Sequence, residues 1–139
     1  MKLSRTKMIT GCCVLLLVGL LVSPAISYSD ELEIEIDIAP NVLNIQSAGT
    51  VVTVHTDIAY WMVDAYTLTL NELEIRSWKA DNQGNFVAKF LMDDVKALAL
   101  EELDIGDYNE FVLEGETKDG VEFFGTQEIL IIDVVPKGR

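Results

Sequence analysis

The stretch Lys79-Ala80-Asp81-Asn82-Gln83-Gly84-Asn85 packs oxygen-bearing side chains and a glycine just ahead of the apolar run Phe86–Leu91. Calcium is a hard cation that takes about six or more oxygens. An EF-hand-type loop supplies them from its first, third and fifth positions, with a glycine sixth and a bidentate acid twelfth. Counted from Asp81, those places fall on Gln83, Asn85, Phe86 and Met92. One carboxylate survives and the turn glycine is displaced. The competing reading is a hairpin tip, in which Asn82, Gly84 and Asn85 tolerate left-handed backbone. The loop is therefore expected to be structural first, and at most a vestigial calcium site with Asp81 and Asn85 as its ligands.

Other reactive groups are few. His55 is the only histidine, and both cysteines, Cys12 and Cys13, lie near the N-terminus, so no zinc site of the usual kind can be built. His55 shares a strand face with Val51 and Thr53. Ser47 and Ser77 would serve a hydrolytic triad, yet neither sits in a Gly-x-Ser-x-Gly elbow. The acid pairs Asp93-Asp94 and Glu101-Glu102 are adjacent in sequence, whereas glycosidase carboxylates face each other across a cleft from different elements. They read as a helix start and a loop. No catalytic or cofactor-binding residue is assigned, and the chain is expected not to be an enzyme. Tyr60-Trp61 and Trp78 are different in kind: exposed rings stack on sugars, while buried ones fill a core. Tyr60 and Trp61 form a candidate ligand patch, and at least one tryptophan is expected in the core.

These groups must be positioned by strands. Leu32–Ile38 alternates aliphatic and acidic residues, which puts four aliphatics on a core face and three acids in water. Pro40 stops it. Val42–Gln46 reads as a short extended piece, Thr50–Thr56 as a β-branched strand, and Tyr66–Leu70 as an alternating one with Tyr66, Leu68 and Leu70 on one face. Leu73–Trp78 and Phe86–Leu91 are expected as strands joined by the Asp81 loop. Asp93–Leu100 is the only helix, with Val95, Leu98 and Ala99 on its apolar face. Glu110–Thr117 and Val121–Phe124 flank Lys118-Asp119-Gly120, a hairpin turn, and Ile129–Val135 closes the chain as a central strand. Seven to nine short strands with regular turn signals predict an all-β, antiparallel immunoglobulin-like β-sandwich with one short helix.

The first 27 residues are unlike the rest. Lys2, Arg5 and Lys7 precede an apolar run from Gly11 to Val22, and Ala25 and Ser27 supply the small residues of a cleavage site. This pattern predicts a signal peptide over residues 1–27, cleaved after Ser27, ahead of a single domain over residues 28–139. The protein is expected to be secreted or periplasmic, and to meet a membrane only through an uncleaved signal helix. After cleavage, seven Lys/Arg face 23 Asp/Glu, a net charge of −16. Such a surface repels nucleic acid and anionic lipid.

Several motifs resemble those of a family of β-sandwich modules in exported bacterial and archaeal proteins. Ile36-Asp37-Ile38-Ala39-Pro40 is similar to its opening, and Leu43-Asn44-Ile45-Gln46-Ser47-Ala48-Gly49 to its first turn. Val87-Ala88-Lys89-Phe90 is similar to its middle strand. The segment from Glu114 to Ile129 resembles its close, with Gln127 where aspartate is commoner. The resemblance implies export and a β-sandwich, and it carries no catalytic residues. In many members an acidic, calcium-like loop precedes the middle strand, where Asp81–Asn85 stands here. The expected function is an accessory, structural or protein-interaction module of the cell envelope or outside the cell. The alternative is a glycan- or cation-binding protein, and the partner is accordingly an unidentified protein or a polysaccharide.

Overall fold

The structure, a computed structural model, describes residues 30–137; the expected signal helix, its cleavage point and both cysteines lie outside the described residues. Among the described residues, ten strands and one helix follow in order. They are β1 (Leu32–Glu33), β2 (Ile36–Ala39), β3 (Val42–Asn44), β4 (Val51–Ala59), β5 (Val63–Leu70), β6 (Leu73–Glu74), β7 (Ser77–Ala80), β8 (Asn85–Leu91), α1 (Met92–Glu102), β9 (Tyr108–Thr117) and β10 (Glu122–Ile132). A 3-10 turn, Tyr60–Met62, joins β4 to β5. One sheet runs β1-β10-β9-β5-β6, with β3 also on β10, and the other runs β2-β4-β8-β7.

Alternation along each strand turns one row of side chains inward, and the two inward rows share one core. Phe86 and Phe90 of β8 and Val52 and Val54 of β4 pack with Phe111 and Leu113 of β9 and Phe123, Ile129 and Ile131 of β10. Each such side chain contributes about 1.5–3 kcal/mol by leaving water. The molecule is an all-β sandwich. Helix α1 closes one end and directs Met92, Val95 and Ala99 at the core. Val95 and Ala99 match the expected apolar face, whereas Leu98 is only half-buried and Met92 precedes the expected start at Asp93.

Three strand assignments need correction. Leu32–Ile38 is not one strand: the chain leaves the first sheet after Glu33 and joins the second at Ile36. Leu32 is consequently exposed, while Ile34 and Ile38 are buried. The step is held from both sides, since Ile34 N donates to Phe124 O (2.8 Å) and Glu35 N to Asp57 Oδ1 (3.0 Å). Leu73–Trp78 divides likewise, with Leu73–Glu74 on β5 and Ser77–Ala80 on β8. Conversely, Glu122–Phe124 of the expected Val121–Phe124 and the start of Ile129–Val135 belong to one strand, β10, which ends at Ile132 and leaves Val134 and Val135 exposed. Pairing is antiparallel except where β1 and β3 run parallel to β10.

Gly125 is required by the first crossing. A Cβ there would lie 2.7 Å from Ile36 Cγ2 and 2.9 Å from Ile34 O. Two residues on, Gln127 Oε1 accepts a hydrogen bond from Ile38 N (2.6 Å) and fills the gap the crossing leaves in the ladder.

Candidate functional site: an aromatic corner between two bulges

Between β4 and β5 the chain passes from one sheet to the other, and both strands are bulged beside the crossing. β4 pairs with β8 up to His55↔Val87 and resumes at Ala59↔Asn85, so Thr56, Asp57 and Ile58 face Phe86 alone. The orphaned ladder positions are taken by a hydroxyl: buried Thr56 Oγ1 donates to Phe86 O (2.6 Å) and accepts from Ile58 N (3.4 Å). β5 repeats the device. It pairs with β9 at Asp64↔Glu116 and again at Thr69↔Glu114, leaving Ala65–Leu68 opposite Gly115. Thr67 Oγ1 donates to Asp64 O (2.7 Å) and accepts from Glu116 N (2.8 Å). The arch closes over a glycine because any Cβ on Gly115 would come within 2.6 Å of Leu68 Cδ1. Bulges re-aim side chains, and this one re-aims Tyr66.

Simple alternation places Tyr66 inward with Leu68 and Leu70. Instead Ala65 is buried and Tyr66 is 85% exposed at the top of the arch. Its ring meets Trp78 of β7, on the opposite sheet, edge to face at 5.2 Å and 78°. Such a pair contributes about 0.5–1.5 kcal/mol beyond its buried area. Tyr60 stacks on Phe86 with centroids 5.7 Å apart. The turn that carries it is pinned at both ends, Tyr60 N to Gly84 O (2.8 Å) and Lys118 N to Met62 O (2.8 Å). Trp61, on the same turn, is 70% exposed. Between the rings lies a shallow cleft of about 180 Å³, walled by Tyr60, Tyr66 and Trp78 and rimmed by Asp64 and Lys118.

Of the residues singled out by sequence, Tyr60 and Trp61 fall on this corner. Trp78, half-buried against the core, is the tryptophan that packs. Tyr66 was hidden by its alternation; the only local traces of the arch are Asp64 and Thr67 spaced three apart on a strand, with Gly115 on its neighbour.

The Asp81 loop adjoins the corner through the Tyr60–Gly84 bond. It joins β7 to β8, not all of Leu73–Trp78 to β8. Asp81 N donates to Asn85 O (2.9 Å), Gly84 N donates to Asp81 O (3.1 Å), and Gly84 has φ +83°. This is a three-residue hairpin loop with a left-handed glycine. Asp81 Oδ1 accepts from both Asn85 N (2.9 Å) and Gln83 N (2.8 Å). Those bonds, the Asn85 N–H first, hold the carboxyl below its ordinary pKa, assisted by nearby His55. The carboxylate is engaged in folding the loop. No group of three or more His, Cys, Asp or Glu that could hold a metal ion occurs among the described residues.

His55 is exposed on the outer face of the β4 sheet, with β8 between its strand and Ser77. Ser47 lies in the turn after β3, where its Oγ accepts from Gly49 N (3.0 Å). The three do not assemble. A larger open groove, about 590 Å³, runs between α1 and the β5–β6 turn and collects Glu72, Asp94, Glu101, Glu102 and Glu114 around Leu73, Leu98 and Val112. Among the described residues no helix is long and apolar enough to cross a membrane. The chain matches no family model, and neither a curated protein nor a solved structure proves similar to it.

Proposed function

We propose that the protein is an exported, non-enzymatic interaction module of immunoglobulin-like type, secreted or periplasmic, whose binding surface is the aromatic corner. The observation that carries this reading is the exposure of Trp61 and Tyr66, at 70% and 85%, beside a cleft whose walls are also aromatic. Large exposed rings are the side chains that dominate binding energy when a partner covers them, because they bury much surface and lose few rotamers. Here two bulges, each latched by a threonine hydroxyl, hold them in place before any partner arrives.

The strand order supports the immunoglobulin-like type: β2-β4-β8-β7 facing β10-β9-β5 corresponds to the ABED and GFC sheets of that fold. Export is supported by the charge and hydropathy pattern of residues 1–27. The family resemblance stays a proposal, supported by the structural work its motif residues perform. Asn44 continues the β3–β10 ladder through its side chain, with Nδ2 donating to Val134 O (2.8 Å) and Oδ1 accepting from Val134 N (3.1 Å). Gly115 and Gly125 permit the arch and the crossing.

Strand addition at the sheet edges is a poorer route for a partner. The edge strands β2 and β7 have four residues each, β1 and β6 two, and β5 is arched where its outer edge is free. A calcium function is not favoured either, since Asp81 is occupied by its own loop.

The test is capture from native envelope extract by immobilised protein. The wild type is expected to retain a component that the Trp61→Ala/Tyr66→Ala double variant releases. Equal retention by both would remove the corner from the account.

A further inference from the structure

We infer that the aromatic corner takes a neutral, equatorially substituted pyranoside chain, one ring of which lies over the cleft. The inference rests on the proposal that this corner is the binding surface, and it names the ligand class. Four features of the corner point to it.

The cleft, about 180 Å³, is smaller than the roughly 300–1,000 Å³ pockets that enclose a drug-sized ligand. It is a platform for one ring of a longer molecule. Its lining is mostly flat π faces and ring edges, from Tyr60, Tyr66, Trp78 and Phe86, with Val63 and Ala65 as the only aliphatics. A pyranose with equatorial hydroxyls presents a face of axial C–H groups that lies against such rings, while its hydroxyls point outward along the rim. The rim answers with both hydrogen-bonding senses: Asp64 accepts, Lys118 donates, and the phenolic hydroxyls do either.

Charge decides among the molecules that stack. Nucleobases use the same aromatic platforms, but their backbone needs a cationic groove. Here Lys118 is balanced by Asp64, and the exported domain carries −16 overall. The same repulsion excludes uronate-bearing and sulfated polysaccharides and leaves neutral glycans. Trp61, exposed next to Tyr60 on the same turn, offers a further ring outside the cleft.

The experiment is affinity gel electrophoresis in soluble hydroxyethylcellulose, with intrinsic fluorescence titration by fully N-acetylated chitohexaose, on the full exported domain. Wild-type protein is expected to be retarded or to show a saturable emission change. Tyr66→Ala should weaken binding about tenfold or more, Tyr66→Phe should retain it, and alginate should give none. Tyr66→Phe keeps the ring against Trp78 and should melt with the wild type. Tyr66→Ala gives up that pair and should melt only a few degrees lower, still folded in the binding assay, which separates lost binding from lost folding. No response to either neutral probe overturns the inference, as does a response unchanged in Tyr66→Ala. Envelope capture that is lost in the double variant while both neutral probes fail would sink the glycan and leave the interaction module standing.

Discussion

Replacing Thr67 by valine removes one hydroxyl and almost no volume, and it tests how the corner is built. In the wild type that hydroxyl donates to Asp64 O at 2.7 Å and accepts from Glu116 N at 2.8 Å, standing in for the backbone groups that the β5 arch withdraws from the ladder. Each bond has a net worth of about 0.5–1.5 kcal/mol, so their joint loss would cost about 1–3 kcal/mol. Asp64 and Thr67 are half-buried and Glu116 is exposed, which lets water restore part of the deficit. The expected cost is therefore about 1–2 kcal/mol. A domain of this size has an unfolding entropy near 0.2 kcal/mol/K, which converts that cost to a drop of about 4–8 °C in Tm. Scanning calorimetry or circular-dichroism melts would measure it. Thr67→Ser keeps the hydroxyl and should lose about half as much or less. Thr69→Val, on the regular part of the same strand, is the background control. The near-UV signal of Trp78 should also change in Thr67→Val, because the arch that presses Tyr66 on it has loosened. A Thr67→Val melt equal to that of Thr69→Val would refute the claim that a hydroxyl latches the arch.

Three further outcomes follow from the same geometry. Thr56→Val removes the equivalent latch in β4, where Thr56 and Phe86 are buried, and should cost more, about 2–3 kcal/mol by denaturant unfolding. Gly125→Ala drives a methyl to 2.7 Å from Ile36 Cγ2 and 2.9 Å from Ile34 O, and should destabilise by about 1–3 kcal/mol in the same assay. Asp81 should titrate below the ordinary aspartate value when followed by carboxyl NMR, because the Asn85 and Gln83 N–H groups hold its carboxylate. Its native pKa is depressed, so its contribution to stability is present above the unfolded pKa and fades as pH falls through the native one. Asp81→Asn should remove that acid-limb dependence while leaving the neutral-pH fold intact.

Much of the sandwich is legible in the sequence because burial on one face forces alternation. Val52, Val54, Phe111 and Leu113 announce their strands, and Val95 and Ala99 announce α1. Leu98 of the expected apolar face instead lines the acidic groove, and Met92, ahead of the expected start, is buried in its stead. Alternation does not say which sheet a strand joins. Leu32–Ile38 and Leu73–Trp78 therefore read as single strands, although each passes between sheets. Ile34 and Ile38 meet the shared core from either side of the crossing, and their spacing records only that they are buried. The corner is half legible for a related reason. Tyr60-Trp61 breaks the alternation and so stands out, whereas Tyr66 fits the inward row of its strand. What turns it outward is a long-range match between Thr67 and Glu116, 49 residues away. Nothing local to Tyr66 encodes that match. The shape of the Asp81 loop is legible almost completely, since the hydrogen bonds within it run between residues at most four apart; only its tie to Tyr60 N, through Gly84 O, is long-range.

The most direct test of the account is a photo-cross-linking scan in the native envelope. A photoreactive amino acid would be placed in turn at Trp61 and Tyr66 on the corner, at Thr53 on the outer face of β4, and at Glu101 on the acidic groove. Covalent adducts are expected from positions 61 and 66, and none above background from 53 and 101. Adducts concentrated at 101 or 53 with a silent corner would contradict the account.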